Sequence, residues 1–164
     1  LQDIKILSSY DKKESKFVAV TVNPSDEFIE KNLKSNFDFI QLHGSETKDR
    51  ITKIKNMGFK IIKAIKVKEK QDIYKYKEFD NADIILFDTP GMEKSFEFPK
   101  NLITKLPIST KYALAGSISE DNVENISKLG VNFFDLSSSL ESLLGFKDHL
   151  KIRNFVKNIN DLKN

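Results

Sequence analysis

The sequence predicts an α/β fold in which parallel strands alternate with helices that cover the sheet. Three observations point that way. Short apolar runs recur roughly every twenty to thirty residues, the length of one βα unit. Between them lie stretches with apolar residues at helical spacing. Polar or small residues finish nearly every apolar run, and the C-terminal ends of parallel strands are where such folds hold their ligands.

Taken in order, Leu1–Leu7 has apolar residues at positions 1, 4 and 7, a helical spacing, and Ser8–Lys16 is a polar connection. Phe17–Val22 is rich in β-branched residues and predicts a buried strand, broken by Asn23-Pro24-Ser25. Ser25 is placed to cap a helix with Phe28, Ile29 and Leu33 on one face. Phe37–Leu42 is the second strand, long enough for a strand and too short for a helix, and it carries Gln41 and His43 at its end before Gly44. Ser45 is expected to cap the next helix, Ser45–Met57, with Glu46 near its positive end, Ile51 and Ile54 inward and Gly58 as its stop. Phe59–Val67 is the third strand and Glu69–Phe79 a helix. Ala82–Phe87 is the fourth strand, running into Asp88. A loop over Thr89–Phe98 and a short helix over Asn101–Leu106 lead to the fifth strand, Lys111–Ala115, which ends in Gly116-Ser117. Ser119–Leu129 is a helix closed by Gly130. Val131–Leu136 is the sixth strand, ending in Ser137-Ser138-Ser139, and Gly145–Leu162 is mostly a final helix.

This pattern fits one domain over residues 1–164, either an open doubly wound sheet or part of a (β/α)₈ barrel. Nothing resembles the Gly-x-Gly-x-x-Gly turn of dinucleotide folds, and polar residues at so many strand ends favour the barrel, whose strand ends share one site. With 27 basic and 24 acidic residues the net charge is +3, which suits a small anionic ligand. It is too weak and too scattered to argue for nucleic acid. The absence of cysteine excludes a disulfide framework and a thiolate metal site. No apolar run reaches membrane-spanning length, and a cytoplasmic protein is the default expectation.

Asp88 follows a fully apolar strand, so its carboxyl is a candidate general acid with a pKa raised by desolvation; the plainer alternative is a loop-bracing aspartate. Gly116-Ser117 and the Ser137–Ser139 run offer open backbone N–H groups and hydroxyls suited to a phosphate, or are ordinary turn chemistry. Asp135, between Phe134 and Leu136, needs partners and could orient a ligand hydroxyl or brace a loop. His43 is a candidate base or a hydrogen-bonded pocket wall, and His149 is structural. No His/Asp/Glu cluster has metal spacing, and there is no nucleophile elbow.

Val20-Thr21-Val22-Asn23, Gln41-Leu42-His43-Gly44, Ile62-Lys63-Ala64, Leu86-Phe87-Asp88-Thr89, Leu114-Ala115-Gly116, Asp135-Leu136-Ser137-Ser138, Glu141 and Gly145-Phe146-Lys147-Asp148 occur in the order and spacing of one family. From about Phe17 to the C-terminus the chain resembles the phosphoribosylanthranilate isomerases of tryptophan biosynthesis. The resemblance implies a (β/α)₈ TIM barrel, of which about six C-terminal βα units are represented here. It implies an Amadori rearrangement of N-(5-phosphoribosyl)anthranilate to 1-(2-carboxyphenylamino)-1-deoxyribulose 5-phosphate, with no metal or cofactor. Asp88 becomes the general acid. Gly116, Ser117, Ser138 and Ser139 become the phosphate-binding turns, and Gln41, His43 and Asp135 line the substrate pocket. The only partner it requires is a small phosphorylated substrate, with neither nucleic acid nor membrane; association with, or fusion to, other tryptophan-pathway enzymes is compatible with it.

The departures are specific. The family's general base is a cysteine at the end of strand one, in a Lys-x-Cys-Gly motif, and this sequence has no cysteine. No arginine occupies the place after strand two that binds the anthranilate carboxylate. The sequence begins at Leu1, and Leu1–Leu7 looks like the helix after strand two, so strand one, helix one and strand two are expected ahead of it and these residues alone are expected to be inactive. Ser117 and Ser139 stand where the family has glycines, which is costly if either backbone needs a positive φ. Two further readings remain: a non-catalytic barrel fragment or interaction module that retains only phosphate binding, and a related barrel such as indoleglycerol-phosphate synthase. The lack of a suitable strand-end Glu/Lys constellation counts against the second.

Overall fold

The computed structural model describes residues 2–89, 106–107, 111–116, 118–131 and 133–162. Most of the expected Thr89–Phe98 loop and Asn101–Leu106 helix, and Ser117, lie outside these residues. The described chain runs α1 (Gln2–Ser8), β1 (Val18–Thr21), α2 (Asp26–Asn32), β2 (Phe39–Leu42), α3 (Lys48–Asn56), β3 (Lys60–Lys66), a 3-10 helix (Lys70–Phe79), β4 (Ile84–Asp88), β5 (Tyr112–Ala115), α4 (Val123–Ser127), β6 (Phe133–Asp135), a 3-10 turn (Ser138–Leu140), β7 (Glu141–Leu143), β8 (Phe146–Lys147) and α5 (His149–Asp161). Strands β1 to β6 form one sheet in chain order. A doubly wound sheet reverses its order at a switch point; this one never does, so the strand order is that of the barrel alternative.

The chain divides into two compact units, Leu1–Ile65 with Lys75–Ile85, and Lys66–Tyr74 with Leu86–Asn164. In the first, β1, β2 and β3 pair in parallel, with Ala19 opposite Ile40 and Ile40 opposite Ile61. Ile29 and Leu33 from the α2 segment and Ile51 and Ile54 from α3 bury themselves against Ile40, Leu42 and Ile61. Each such side chain contributes about 1.5–3 kcal/mol of transfer free energy. Ser25 caps α2 as expected, its Oγ accepting from the Phe28 N–H at 3.2 Å. The expected cap of α3 is corrected: Thr47, not Ser45, starts the helix, its Oγ1 accepting from the Arg50 N–H at 3.2 Å. Strand β1 is buried on one face only. Ala19 joins the core, while Val18 and Val20, whose side chains alternate to the other face of the strand, are exposed.

In the second unit β5 and β6 pair in parallel, with Ala115 opposite Asp135. Phe87 stacks on Tyr112 with ring centroids 5.7 Å apart. The helix expected over Ser119–Leu129 is shorter, Val123–Ser127, because Asn122 Oδ1 takes the Ser119 N–H at 3.0 Å and holds the preceding residues in a turn. The final helix is shorter too. Glu141–Leu143 and Phe146–Lys147 form an antiparallel hairpin around Gly145, whose φ of +82° suits a tight turn and not a helix. Asp148 then caps α5, accepting from the Leu150 and Lys151 N–H groups.

Candidate active site

Gln41 and His43 come together in the first unit. Gln41 is buried near the end of β2, and His43 follows the strand, held by its N–H to the Thr21 carbonyl at 2.9 Å. The imidazole Nε2 meets Gln41 Oε1, so the ring donates through Nε2 and the side-chain pair acts as one polar unit. Among the described residues the only non-glycine positive φ angles are those of Lys13 and Asn23.

Beneath this pair lies a network that the sequence pattern did not single out. Lys63 in β3 and Glu46 in the turn after β2 form an ion pair of 2.8 Å, with side chains 3% and 1% exposed. Lys63 Nζ also donates to the carbonyls of Gly44, at 2.7 Å, and Leu42, at 3.3 Å. Glu46 Oε1 accepts from the N–H groups of Asn23, at 2.8 Å, and Gly44, at 3.3 Å. Burial is the largest influence on the Glu46 carboxyl and pushes its pKa up. The Lys63 hydrogen bond, the Asn23 and Glu46 N–H groups and the Lys63 charge together outweigh it, and the pKa is lowered. The one available signal was a lysine inside an apolar run, within the Ile62-Lys63-Ala64 block.

The second unit holds the other candidates. Asp88 is the last residue of β4 and half-buried, and its carbonyl takes the Val67 N–H at 2.9 Å. Thr89, which the sequence places only in the Leu86-Phe87-Asp88-Thr89 block and at the start of a loop, donates to the Ala115 carbonyl through N–H at 3.2 Å and through Oγ1 at 2.9 Å. This brings the end of β4 onto Gly116. A Cβ there would lie 2.1 Å from the Thr89 carbonyl oxygen, and the φ of Gly116 is +86°. Glycine is therefore required twice over, by conformation and by space.

Asp135 closes β6 opposite Ala115. Expected inside its strand, it is instead the terminal residue and half-buried. Ser138 and Ser139 open the 3-10 turn after β6, and neither has a positive φ, so serine in the family's glycine place at 139 costs no backbone strain. The hairpin braces this turn from behind. Lys147 Nζ donates to the Ser137 carbonyl at 2.9 Å and to Glu141, and the Asp148 N–H to the Leu140 carbonyl at 2.8 Å. Ser117 lies outside the described residues.

Among the described residues no group of His, Asp and Glu could hold a metal ion. No described helix is long and apolar enough to cross a membrane. A cavity of about 580 Å³ in the second unit is lined by residues of α4, β6 and α5, Phe133, Phe134 and Phe155 among them, and includes none of the strand-end candidates.

The family model for N-(5'-phosphoribosyl)anthranilate (PRA) isomerase matches residues 2–158. The N-(5'-phosphoribosyl)anthranilate isomerase of Petrotoga mobilis is 39% identical, over 89% of this chain and 72% of its own length. That of Thermoanaerobacter pseudethanolicus is 32% identical, over 99% and 80%. The crystal structure of the Thermotoga maritima phosphoribosyl anthranilate isomerase superposes with a TM-score of 0.85 at 27% identity, covering 98% of this chain and 80% of that one. A structure of a phosphoribosyl anthranilate isomerase in complex with reduced 1-(o-carboxyphenylamino)-1-deoxyribulose 5-phosphate gives 0.84 at 27% identity, over 98% and 79%. A family match over that span, and relatives above 30% identity at such coverage, place the chain in the N-(5'-phosphoribosyl)anthranilate isomerase family.

Proposed function

We propose that the chain serves the isomerisation of N-(5'-phosphoribosyl)anthranilate to 1-(2-carboxyphenylamino)-1-deoxyribulose 5-phosphate in tryptophan biosynthesis. The observation that carries this is the family match over residues 2–158. In the reaction, Asp88 gives its proton to the furanose ring oxygen. The C1–O bond breaks, and the anthranilate nitrogen lone pair forms the C1=N bond. Loss of the C2 proton to a base yields the enamine, and tautomerisation gives the 2-ketone. General acid catalysis of this kind contributes roughly 10²–10⁴-fold. Gly116, Ser117, Ser138 and Ser139 take the phosphate, and Gln41, His43 and Asp135 hold the remaining polar groups of the substrate.

The half-buried place of Asp88 at the end of an apolar strand supports its role, because it sets the carboxyl at the strand end where folds of this class hold their ligands. The glycine-only turn at Gly116 supports the phosphate assignment, since its backbone has no side chain to keep an anion away. These residues contain no cysteine. The reading therefore expects them to bind phosphorylated ligand and present the acid, and expects turnover only where a thiolate base is also supplied. It carries with it a cytoplasmic location, and it leaves association with other enzymes of the pathway to a co-elution measurement.

The test has two parts. Calorimetric titration of these residues with reduced 1-(o-carboxyphenylamino)-1-deoxyribulose 5-phosphate is expected to give saturable binding, and its absence would overturn the reading. In a form of the enzyme that turns over, Asp88→Asn is expected to lower kcat by about 10²-fold or more while analogue affinity holds. Near-wild-type turnover in that variant would remove Asp88 from the role.

A further inference from the structure

Lys63 and Glu46 are charged, almost wholly shielded from water and no part of the acid–base chemistry. Relative to well-packed apolar residues, such a pair adds little stability, because desolvation offsets the attraction. Its hydrogen bonds are where it acts. All three Nζ protons have acceptors: Glu46 Oε2 and the carbonyls of Leu42 and Gly44. The Leu42 and Gly44 carbonyls lie in the residues on either side of His43. Glu46 Oε1 reaches back to the N–H groups of Gly44 and of Asn23, the latter held at a φ of +46° in the turn after β1. The turn has no slack, since a Cβ on Gly44 would lie 2.3 Å from Asn23 Oδ1 and 2.7 Å from Glu46 Oε1. The Phe79 ring, 5.4 Å from Lys63 Nζ, adds a cation–π contact to the ammonium group.

We propose that Lys63 and Glu46 are a positioning pair: by holding the backbone on both sides of His43, they fix its imidazole against Gln41 in one orientation and one tautomer. The pair acts through the backbone carbonyls and N–H groups around His43. The consequence for substrate binding rests on the isomerase reading; the geometry does not.

The experiment is ¹⁵N NMR of the His43 ring nitrogens in the full chain, without ligand, for the wild type, Lys63→Met and the double variant Lys63→Met/Glu46→Gln, with melting temperatures alongside. In the wild type the two nitrogens are expected to give well-separated signals of one tautomer. In both variants the signals are expected to move toward each other as the turn loosens and the tautomers exchange. The double variant buries no unpaired charge, so it is expected to melt near the wild type and to carry the test if Lys63→Met does not fold. A double variant with restored melting temperature and an unchanged His43 signature would mean that the pair only stabilises, and would overturn the proposal. As a second readout, affinity for the reduced phosphoribulose analogue is expected to fall about tenfold or more in the double variant, the scale on which small misplacements act. Unchanged affinity would remove the functional consequence. If the wild type itself fails to bind the analogue, the isomerase reading fails, while the His43 signals still decide the positioning role.

Discussion

The Glu46 carboxyl makes the stability of the chain depend on pH in a stated direction. Burial raises its pKa, but Lys63 and the surrounding N–H groups hold it below its ordinary 4.5. A carboxylate with a depressed folded pKa stabilises the fold fully above its unfolded value, and that stabilisation is lost as pH falls through the folded one. Urea unfolding of the wild type is therefore expected to weaken progressively below about pH 4.5. Glu46→Gln, which leaves Lys63 buried without its counter-charge, is expected to cost about 3 kcal/mol at pH 7 and to flatten that acid slope. An unaltered slope in the variant would assign the acid sensitivity to another carboxylate. Two glycines give a sharper comparison. Gly116 and Gly130 both have positive φ, +86° and +73°, but only Gly116 has atoms within reach of an added Cβ. Gly130→Ala is expected to cost about 1 kcal/mol from backbone strain alone, and Gly116→Ala clearly more. The reverse order of urea midpoints would deny the close approach of Thr89. The candidate list of the sequence reached Gly116 because a glycine ended a strand. It missed Thr89 and Lys63 because their partners lie far along the chain, Ala115 for the first and Glu46 for the second.

At the scale of elements, local chemistry was legible wherever a residue had one competing use, and misleading where it had two. Ser25 had only its helix to serve, and it caps α2. Ser45 serves another partner: its Oγ donates to Asn23 Oδ1 at 3.4 Å and its N–H to the same oxygen at 2.9 Å, and Glu46 beside it turns inward to Lys63, so α3 begins only after Thr47. Thr47→Ala is accordingly expected to destabilise the chain by about 1 kcal/mol, and Ser45→Ala by only a few tenths. Equal losses would mean that the cap is shared. The same competition explains the C-terminal hairpin. A final helix was expected from Gly145 onward, yet Gly145 takes the left-handed turn, and Lys147 and Lys151 reach acceptors on Ser137 and Glu141 that a helix starting there would not present. Helix propensity is a weak prior, and a handful of charge-assisted hydrogen bonds overrides it.

At the scale of the whole molecule, the six strands of the main sheet follow from the recurrence of apolar runs, because each run is too short to be anything but a strand; their sequential order does not, because the same recurrence fits a doubly wound sheet, and only the polar strand ends favoured the barrel. The division into two units was not legible, because it follows neither a linker nor a change in composition. It cuts through elements instead: Lys60–Ile65 of β3 belongs to the first unit and Lys66 to the second, while Ile84 and Ile85 of β4 belong to the first and Leu86–Asp88 to the second. We infer that the chain is one domain thermodynamically, since neither unit can lose its strands without unravelling strands covalently shared with the other. Urea unfolding followed by far-ultraviolet circular dichroism and by tyrosine fluorescence is expected to give coincident single transitions. Two resolved midpoints, with the amides of β2 and of β5 exchanging in separate steps, would instead show that each unit unfolds by itself.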